Sequence, residues 1–407
     1  MPVTDDAIIV GLLGGTLAAI FWTSQSEARV WRGFYRFIPP MVVCYFVPAI
    51  YNTAGLIDAD ASSLYYVVTR YLLPAALVLL TLSIDFPAII RLGPKAVILF
   101  LTGTAGIMIG GPIALALWGA VAPGITAGDV WKGMATVAGS WIGGSANQVA
   151  MKEVFSVDDN LFGMMVAVDV VVGSLWLAFL LYLAGRADQL DARHGADTSA
   201  LLSLREKTER FQRENARIPS FPDLMILVGV GLGAMGASHL VAGPLAGLFK
   251  GMQWAERLSL SSEFFWVVIV ATTAGVLMSL TPMRRLEAAG ASKVGTVMLY
   301  VLIATIGMRM NLLAISSNPG LFAVGATWIL VHGALMYLVM RILRAPLFYM
   351  AVGSQANIGA AASAPVVASV FHPSLAPVGV LLAVLGYALG TYAAWVTGQL
   401  MRIVAAG

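Results

Sequence analysis

The sequence predicts an all-α polytopic membrane protein made of two inverted structural repeats, and three observations carry the prediction. Hydrophobic residues make up 59% of the 407 and charged residues only 11%. Apolar runs such as "YLLPAALVLLTLSI" recur from end to end, and a polar, glycine-rich stretch appears late in each half. Lipid offers no hydrogen-bond partners, so a crossing chain must be helical or a closed barrel. Runs of about 17–25 apolar residues without strict alternation indicate helices.

The helical segments are expected at roughly 7–23, 35–52, 64–84, 95–121, 129–155 and 161–185, then 223–249, 264–282, 294–314, 320–342, 346–371 and 374–401. The first follows Asp5 and Asp6, where a secretory signal would carry basic residues, so it is read as a retained helix. Cys44, the only cysteine, lies in an apolar run, which excludes intrachain disulfides and thiolate metal sites. A net charge of +3 gives no reason to expect a nucleic-acid partner.

Between the two sets of six lies a polar middle, residues 186–220, with basic residues at Arg186, Arg193, Arg205, Lys207, Arg210, Arg213 and Arg217. It contains the mixed-charge run "LREKTERFQRENAR" and reads as a cytoplasmic linker with an amphipathic, solvated helix. The expected domains are therefore 1–185 for the first repeat, 186–220 for the linker and 221–407 for the second repeat. Panel helices are expected over about 1–60 and 221–290, and core helices over about 61–185 and 291–407.

The repeat rests on two stretches at the same place in the order of segments. "GSWIGGSANQVAMKEVF" (139–155) in one half is matched by "GSQANIGAAASAPVVASVF" (353–371) in the other, aligning Ala146-Asn147 with Ala356-Asn357. Loop charge decides the topology. Positives collect at Arg29, Arg32, Arg36, Arg91 and Lys95 in the first half, and at Arg284, Arg285, Lys293, Arg341 and Arg344 in the second. They share one side only if the fifth element of each half dips in and returns as a re-entrant hairpin, leaving five crossings per half and inverting the halves. The alternative is an unwound crossing helix together with one other span drawn wrongly.

Non-helical backbone at membrane depth survives only against protein or a water-filled cavity. Glycines permit the turn, half-helix N-termini present N–H groups to an anion, and side-chain oxygens can coordinate a hard cation. The candidate substrate and ion site is therefore Gly144, Ser145, Asn147, Gln148, Gly353, Ser354, Gln355 and Asn357. Asp169 in "MMVAVDVVVGSL" is a mid-helix carboxylate that can supply counter-charge or carry a coupled proton. With Asn147 and Asn357 it forms the candidate sodium set; no other cofactor is expected. Close helix packing by Gly139 and Gly143 is the plainer explanation for the glycines, but it leaves the duplicated polar cluster unexplained.

Asp85 and Arg309 lie at corresponding helix ends and read as inter-helix anchors, with Arg309 the candidate partner for an anionic substrate if it points inward. Lys152 and Glu153 are expected to pair near the hairpin exit. His239 and His332 lack metal-ligand spacing and read as polar packing. No P-loop, nucleophile elbow or HExxH is present, so ATP-driven transport and hydrolysis have no support and no enzyme is expected.

These residues, "GSWIGGSANQVAMKEVF" followed by "AVDVV", with "RYLLPAALVLLTLSIDF" upstream and "GSQANIGAAASAP" downstream, resemble the bacterial membrane family called domain of unknown function 819, or YjcL-like. The resemblance runs over nearly the whole chain, from the second helix onward. The family is similar to inverted-repeat elevator transporters: the 2-hydroxycarboxylate, glutamate and bile-acid symporters and the cation/proton antiporters. The resemblance implies a mobile core bearing the broken elements, a panel domain that forms a homodimer, and a bacterial inner-membrane location. One departure is that Asp169-Val170 stands where those relatives tend to have Asp-Asn, and the antiporters' paired acids are absent. The expected function is a sodium- or proton-coupled symporter of a small carboxylate-bearing solute, with cation/proton exchange through Asp169 as the alternative.

Overall fold

The computed structural model describes residues 2–38, 40–196, 220–310, 312–313, 318–372 and 375–406. Among them every regular element is helical, apart from one isolated bridge between Val3 and Ile57. The first half contains α1 (Asp6–Ser24), α2 (Arg29–Phe37), α3 (Pro40–Thr53), α4 (Leu64–Leu82), α5 (Pro94–Val121), α6 (Val130–Val154) and α7 (Asp159–Ala184). The second contains α8 (Phe221–Phe249), α9 (Glu263–Ser279), α10 (Ala291–Gly307), α11 (Gly320–Ile342), α12 (Leu347–Ile358), α13 (Ala360–Phe371) and α14 (Ala376–Ala406).

Seven of the described helices are long and apolar enough to cross a bilayer, or up to nine if each of two bent pairs is one span. The chain is an all-α polytopic membrane protein. The mixed-charge run 204–217 lies outside the described residues, as does most of the linker.

Prolines explain where the helices depart from expectation. The segment expected over 35–52 is two helices, α2 and α3, meeting at 93° with Pro40 opening the second. The segment expected over 264–282 ends at Ser279, and a 3-10 stretch from Pro282 to Ala289 turns away by 97°. Within α4, residues Val68–Leu72 form a π-helical turn just before Pro74, whose ring would clash with the carbonyl four residues back in a regular helix.

The segments expected at 129–155 and 346–371 do not cross. The rings of Trp131 and Phe155 lie 5.7 Å apart, where a straight helix would separate them by roughly 36 Å. Phe348 and Phe371 likewise meet at 5.3 Å. Both elements are re-entrant hairpins, α6 turning at Gly143-Gly144 and α12–α13 turning at Gly359-Ala360. They open at opposite ends of α7. The first hairpin runs straight into the start of α7, whereas Asp191, just beyond the end of α7, accepts the backbone N–H of Leu347 at the mouth of the second (2.8 Å).

Packing divides the helices differently from the expected boundaries. Helices α4 and α10, placed with the core by their order in the chain, pack instead among α3, α8 and α9. Every residue from Leu73 to Leu82 is buried. Small residues let neighbours close on it: Gly231 against Leu79, Gly275 against Val78, and Gly295 against Ala76. This scaffold therefore holds α1, α3, α4 and α8–α10. The second unit holds α5, α7, α11, α14 and both hairpins, with α14 packed along α6.

Candidate functional site

Two strained residues make the hairpin tips. Gly144 has φ +75° and ψ −179°, a conformation available essentially to glycine alone, and Ala360 has φ +47°. The tips meet: a Cβ on Gly144 would lie 3.1 Å from the Ala360 Cβ and 3.4 Å from the Tyr387 ring of α14. Within the first hairpin the arms touch backbone to backbone, since a Cβ on Gly139 would sit 2.6 Å from the Asn147 carbonyl oxygen. Ser145, beside this tip, faces the scaffold and donates to the Met41 sulfur (3.2 Å).

Asn147 and Asn357 are fully buried and held in the same way. Asn147 donates to the Gly143 carbonyl four residues back (2.8 Å) and to the Tyr387 carbonyl (3.1 Å), and accepts from Thr391 (2.5 Å). Asn357 donates to the Gly353 carbonyl (2.9 Å) and to the Phe100 carbonyl (3.0 Å), and accepts from Thr104 (2.8 Å). Each asparagine thus clamps a hairpin of one half to a helix of the other. Gly353 adds a close approach, its Cβ position lying 3.2 Å from the Phe100 nitrogen.

The aligned asparagines occupy opposite arms. Asn147 follows its break and belongs to the returning arm; Asn357 precedes its break and belongs to the entering arm. The match between "GGSAN" and "GSQAN" therefore marks two like clamps rather than equivalent points of an inverted pair. The partner residues were missed in the sequence, although a signal exists: "FLTGT" (100–104) and "YALGT" (387–391) share aromatic, glycine and threonine at one spacing. The shared glycines, Gly103 and Gly390, face the two asparagine side chains.

Asp169 is buried and accepts from Ser140 (2.6 Å), Trp141 Nε1 (2.7 Å) and Gln148 Nε2 (3.1 Å). Ser140 and Trp141 lie before the break in α6 and Gln148 after it, so one carboxylate ties both arms together. No ion pair to Asp169 exists among the described residues. Ser354 belongs to another set: it accepts from Trp176 Nε1 (2.8 Å) and pairs with His332 Nε2 (2.8 Å), while His332 Nδ1 meets the Gly103 carbonyl (3.0 Å). Because that carbonyl only accepts, Nδ1 carries the proton and Nε2 accepts from Ser354, the polar-packing role expected of this histidine. Gln355 donates to Ser363 (2.6 Å) across the second break, and its Oε1 is buried with no partner.

The structure therefore brings Gln148 and Asp169 together, and brings Gly144 to the tip of the second hairpin. Asn147, Asn357 and Asp169 sit in separate hydrogen-bond sets, and no group of three or more metal-ligating His, Cys, Asp or Glu side chains occurs among the described residues.

Arg309 lies away from the tips, at the junction of the two units. Its guanidinium pairs with Asp159 (2.9 Å) and Asp60 (3.2 Å) and lies over the Tyr65 ring. Lys152, 4% exposed, pairs with Asp159 (2.7 Å) and Glu153 (3.7 Å) and donates to the Tyr65 hydroxyl (2.5 Å), which in turn donates to Glu153. The expected Lys152–Glu153 pair is thus part of a larger cluster joining hairpin exit, α7 and scaffold. Asp85 pairs with Arg284 at 2.6 Å, also between helix ends.

Opposed hairpins with touching tips, inside a bundle of apolar helices, define a helical membrane protein built around a broken-helix core. The family model described as "Protein of unknown function (DUF819)" matches residues 11–404, and the chain belongs to that family. It is also 23% identical to the "Uncharacterized membrane protein YjcL" of Bacillus subtilis (strain 168), over 84% of this chain and 85% of the relative.

Proposed function

We propose that the protein is a secondary active transporter, a sodium- or proton-coupled symporter of a small carboxylate-bearing solute such as an amino acid, organic acid or short peptide. The observation that carries the reading is the meeting of two hairpin tips, Gly144 and Ala360, from hairpins that open at opposite ends of α7. A site between such tips is separated from either side by one hairpin, so moving the hairpin-bearing unit against the scaffold exposes it alternately, an elevator mechanism. Turn amides and the unpartnered Gln355 Oε1 offer groups to solute and ion, and Asp169 offers counter-charge. No catalytic role is assigned.

The scaffold is proposed to form a homodimer in a bacterial inner membrane, with the linker cytoplasmic. Gly229, Gly233 and Gly236 on α8 support this, since a Cβ on any of them would meet nothing within 4 Å. The second reading is a monovalent cation/proton antiporter using Asp169. It is favoured by the buried Asp169 carboxylate being held by three neutral donors, with no Lys, Arg or His ion pair among the described residues.

The test is uptake of labelled carboxylates into vesicles reconstituted with the protein. Flux should require a sodium or proton gradient; flux indifferent to both would refute coupling. Normal transport by both Asn147→Ala and Asn357→Ala would remove those residues from the site. Cation exchange with no organic solute, abolished in Asp169→Asn, would establish the antiporter instead.

A further inference from the structure

We propose that the C-terminal turns of α14 hold the headgroup of a bilayer phospholipid through Gln399 and Arg402. Along this helix Tyr392, Val396, Leu400 and Ile403 are exposed and form a lipid-facing stripe. On the opposite side Gly398 lies against Phe155 and Ala135, and Met401 reaches Gly111 of α5. Gln399 and Arg402, three residues apart and therefore neighbours on the helix surface, lie on the border between stripe and core.

Their polar atoms are the anomaly. Gln399 is only 7% exposed, yet neither its Nε2 nor its Oε1 has a hydrogen-bond partner, and the Arg402 Nε is buried without one as well. The two side chains do not satisfy each other, and Arg402 has no ion pair among the described residues. Each buried unpaired group carries a desolvation penalty that nothing repays, and acyl chains cannot satisfy it.

A ligand that answers all three atoms needs anionic oxygens for the guanidinium and the amide N–H, and a donor for the amide oxygen. A phosphodiester carrying an ammonium or hydroxyl group has both; a carboxylate alone has no donor.

Depth selects the lipid as the source. Around these turns Trp395 and Trp266 donate to the carbonyls of Leu258 and Leu260, Trp131 packs on Phe155, and Trp254 is half exposed. Such aromatic belts mark the headgroup level of a bilayer. A headgroup at Gln399 and Arg402 would then send its acyl chains along the exposed stripe of α14.

The test is thermal unfolding of the delipidated, detergent-purified full chain on titration with phosphatidylglycerol, phosphatidylethanolamine, diacylglycerol or inorganic phosphate. A phospholipid should raise the unfolding temperature of the wild type, and diacylglycerol and phosphate should not. Arg402→Leu should weaken the apparent phospholipid affinity by about 10- to 100-fold, the loss of one charge-assisted hydrogen bond. Gln399→Leu should weaken it too, and Arg402→Lys less. Equal titrations in wild type and Arg402→Leu, or a response to diacylglycerol, would overturn the site. A response to inorganic phosphate that depends on Arg402 would overturn the lipid and leave a soluble-phosphate site. Should the leucine variants not fold, Arg402→Lys decides: a weakened titration supports the site and an unchanged one rejects it.

Discussion

Replacing Asp169 separates its structural duty from its proposed role as an ion ligand. In Asp169→Asn the amide oxygen can still accept from Trp141, while its NH2 must donate to the Ser140 oxygen and to the Oε1 of a flipped Gln148. Three charge-assisted hydrogen bonds thus become neutral ones, a loss of about 1–1.5 kcal/mol each, or roughly 3–5 kcal/mol in total. Against this stands the removal of a buried charge with no cation beside it, whose desolvation penalty is several kcal/mol. The terms nearly cancel, so without sodium Asp169→Asn should unfold within about 2 kcal/mol of the wild type. Asp169→Ala differs, because Trp141 Nε1 and Gln148 Nε2 lose their acceptor while the Ser140 hydroxyl can turn to a backbone carbonyl. That variant should be about 2–6 kcal/mol less stable than Asp169→Asn. The assay is thermal unfolding in detergent with sodium or choline. If Asp169 binds the coupling ion, sodium at a hundred times its dissociation constant should stabilise the wild type by about 2.7 kcal/mol and leave Asp169→Asn unchanged. A sodium increment that survives in Asp169→Asn refutes the ligand role, and equal stability of the Ala and Asn variants refutes the tie between the hairpin arms.

Gly144→Ala should lose about 1–3 kcal/mol by forcing a side chain into a backbone conformation reserved for glycine. It should also slow transport by holding the tips apart, and wild-type unfolding and flux would contradict both the geometry and the proposed site. Lys152→Met removes one partner each from Asp159 and Glu153, which keep Arg309 and the Tyr65 hydroxyl respectively. Because these side chains are also 22% and 12% exposed, the loss measured by denaturant unfolding should be about 1–3 kcal/mol, below that of a fully buried pair left without a partner. No measurable loss would mean that the cluster is decoration. In a Cys44→Ala background, cysteines at Trp131 and Phe155 should be joined by a short bifunctional thiol reagent, and so should cysteines at Phe348 and Phe371. Failure of both pairs would point to crossing helices instead of hairpins. Thr104→Val and Thr391→Val each remove the donor to one asparagine and should destabilise by about 1–3 kcal/mol in the same unfolding assay. An unaffected Thr391→Val would show that the first clamp is not held as described.

Solvent preference along the chain was enough to locate the apolar segments and the two places where a membrane segment becomes polar and glycine-rich, although not the breaks at Pro40 and Pro282. Lipid forbids unpaired backbone, so hydropathy specifies helices, and loop charge points to a fifth element of each half that turns back; the ring contacts at the two hairpin mouths decided against an unwound crossing helix. These constraints act locally and are written locally. Partner choice is not. Whether Asn147 faces a ligand or Tyr387 and Thr391, whether Arg309 points to the tips or to Asp159 and Asp60, and whether α4 joins hairpins or scaffold depend on residues far away in the chain. Only the folded arrangement, which pairs each buried polar group at atomic distance, decided them, because a hydrogen bond or ion pair has a strict geometry that hydropathy does not encode.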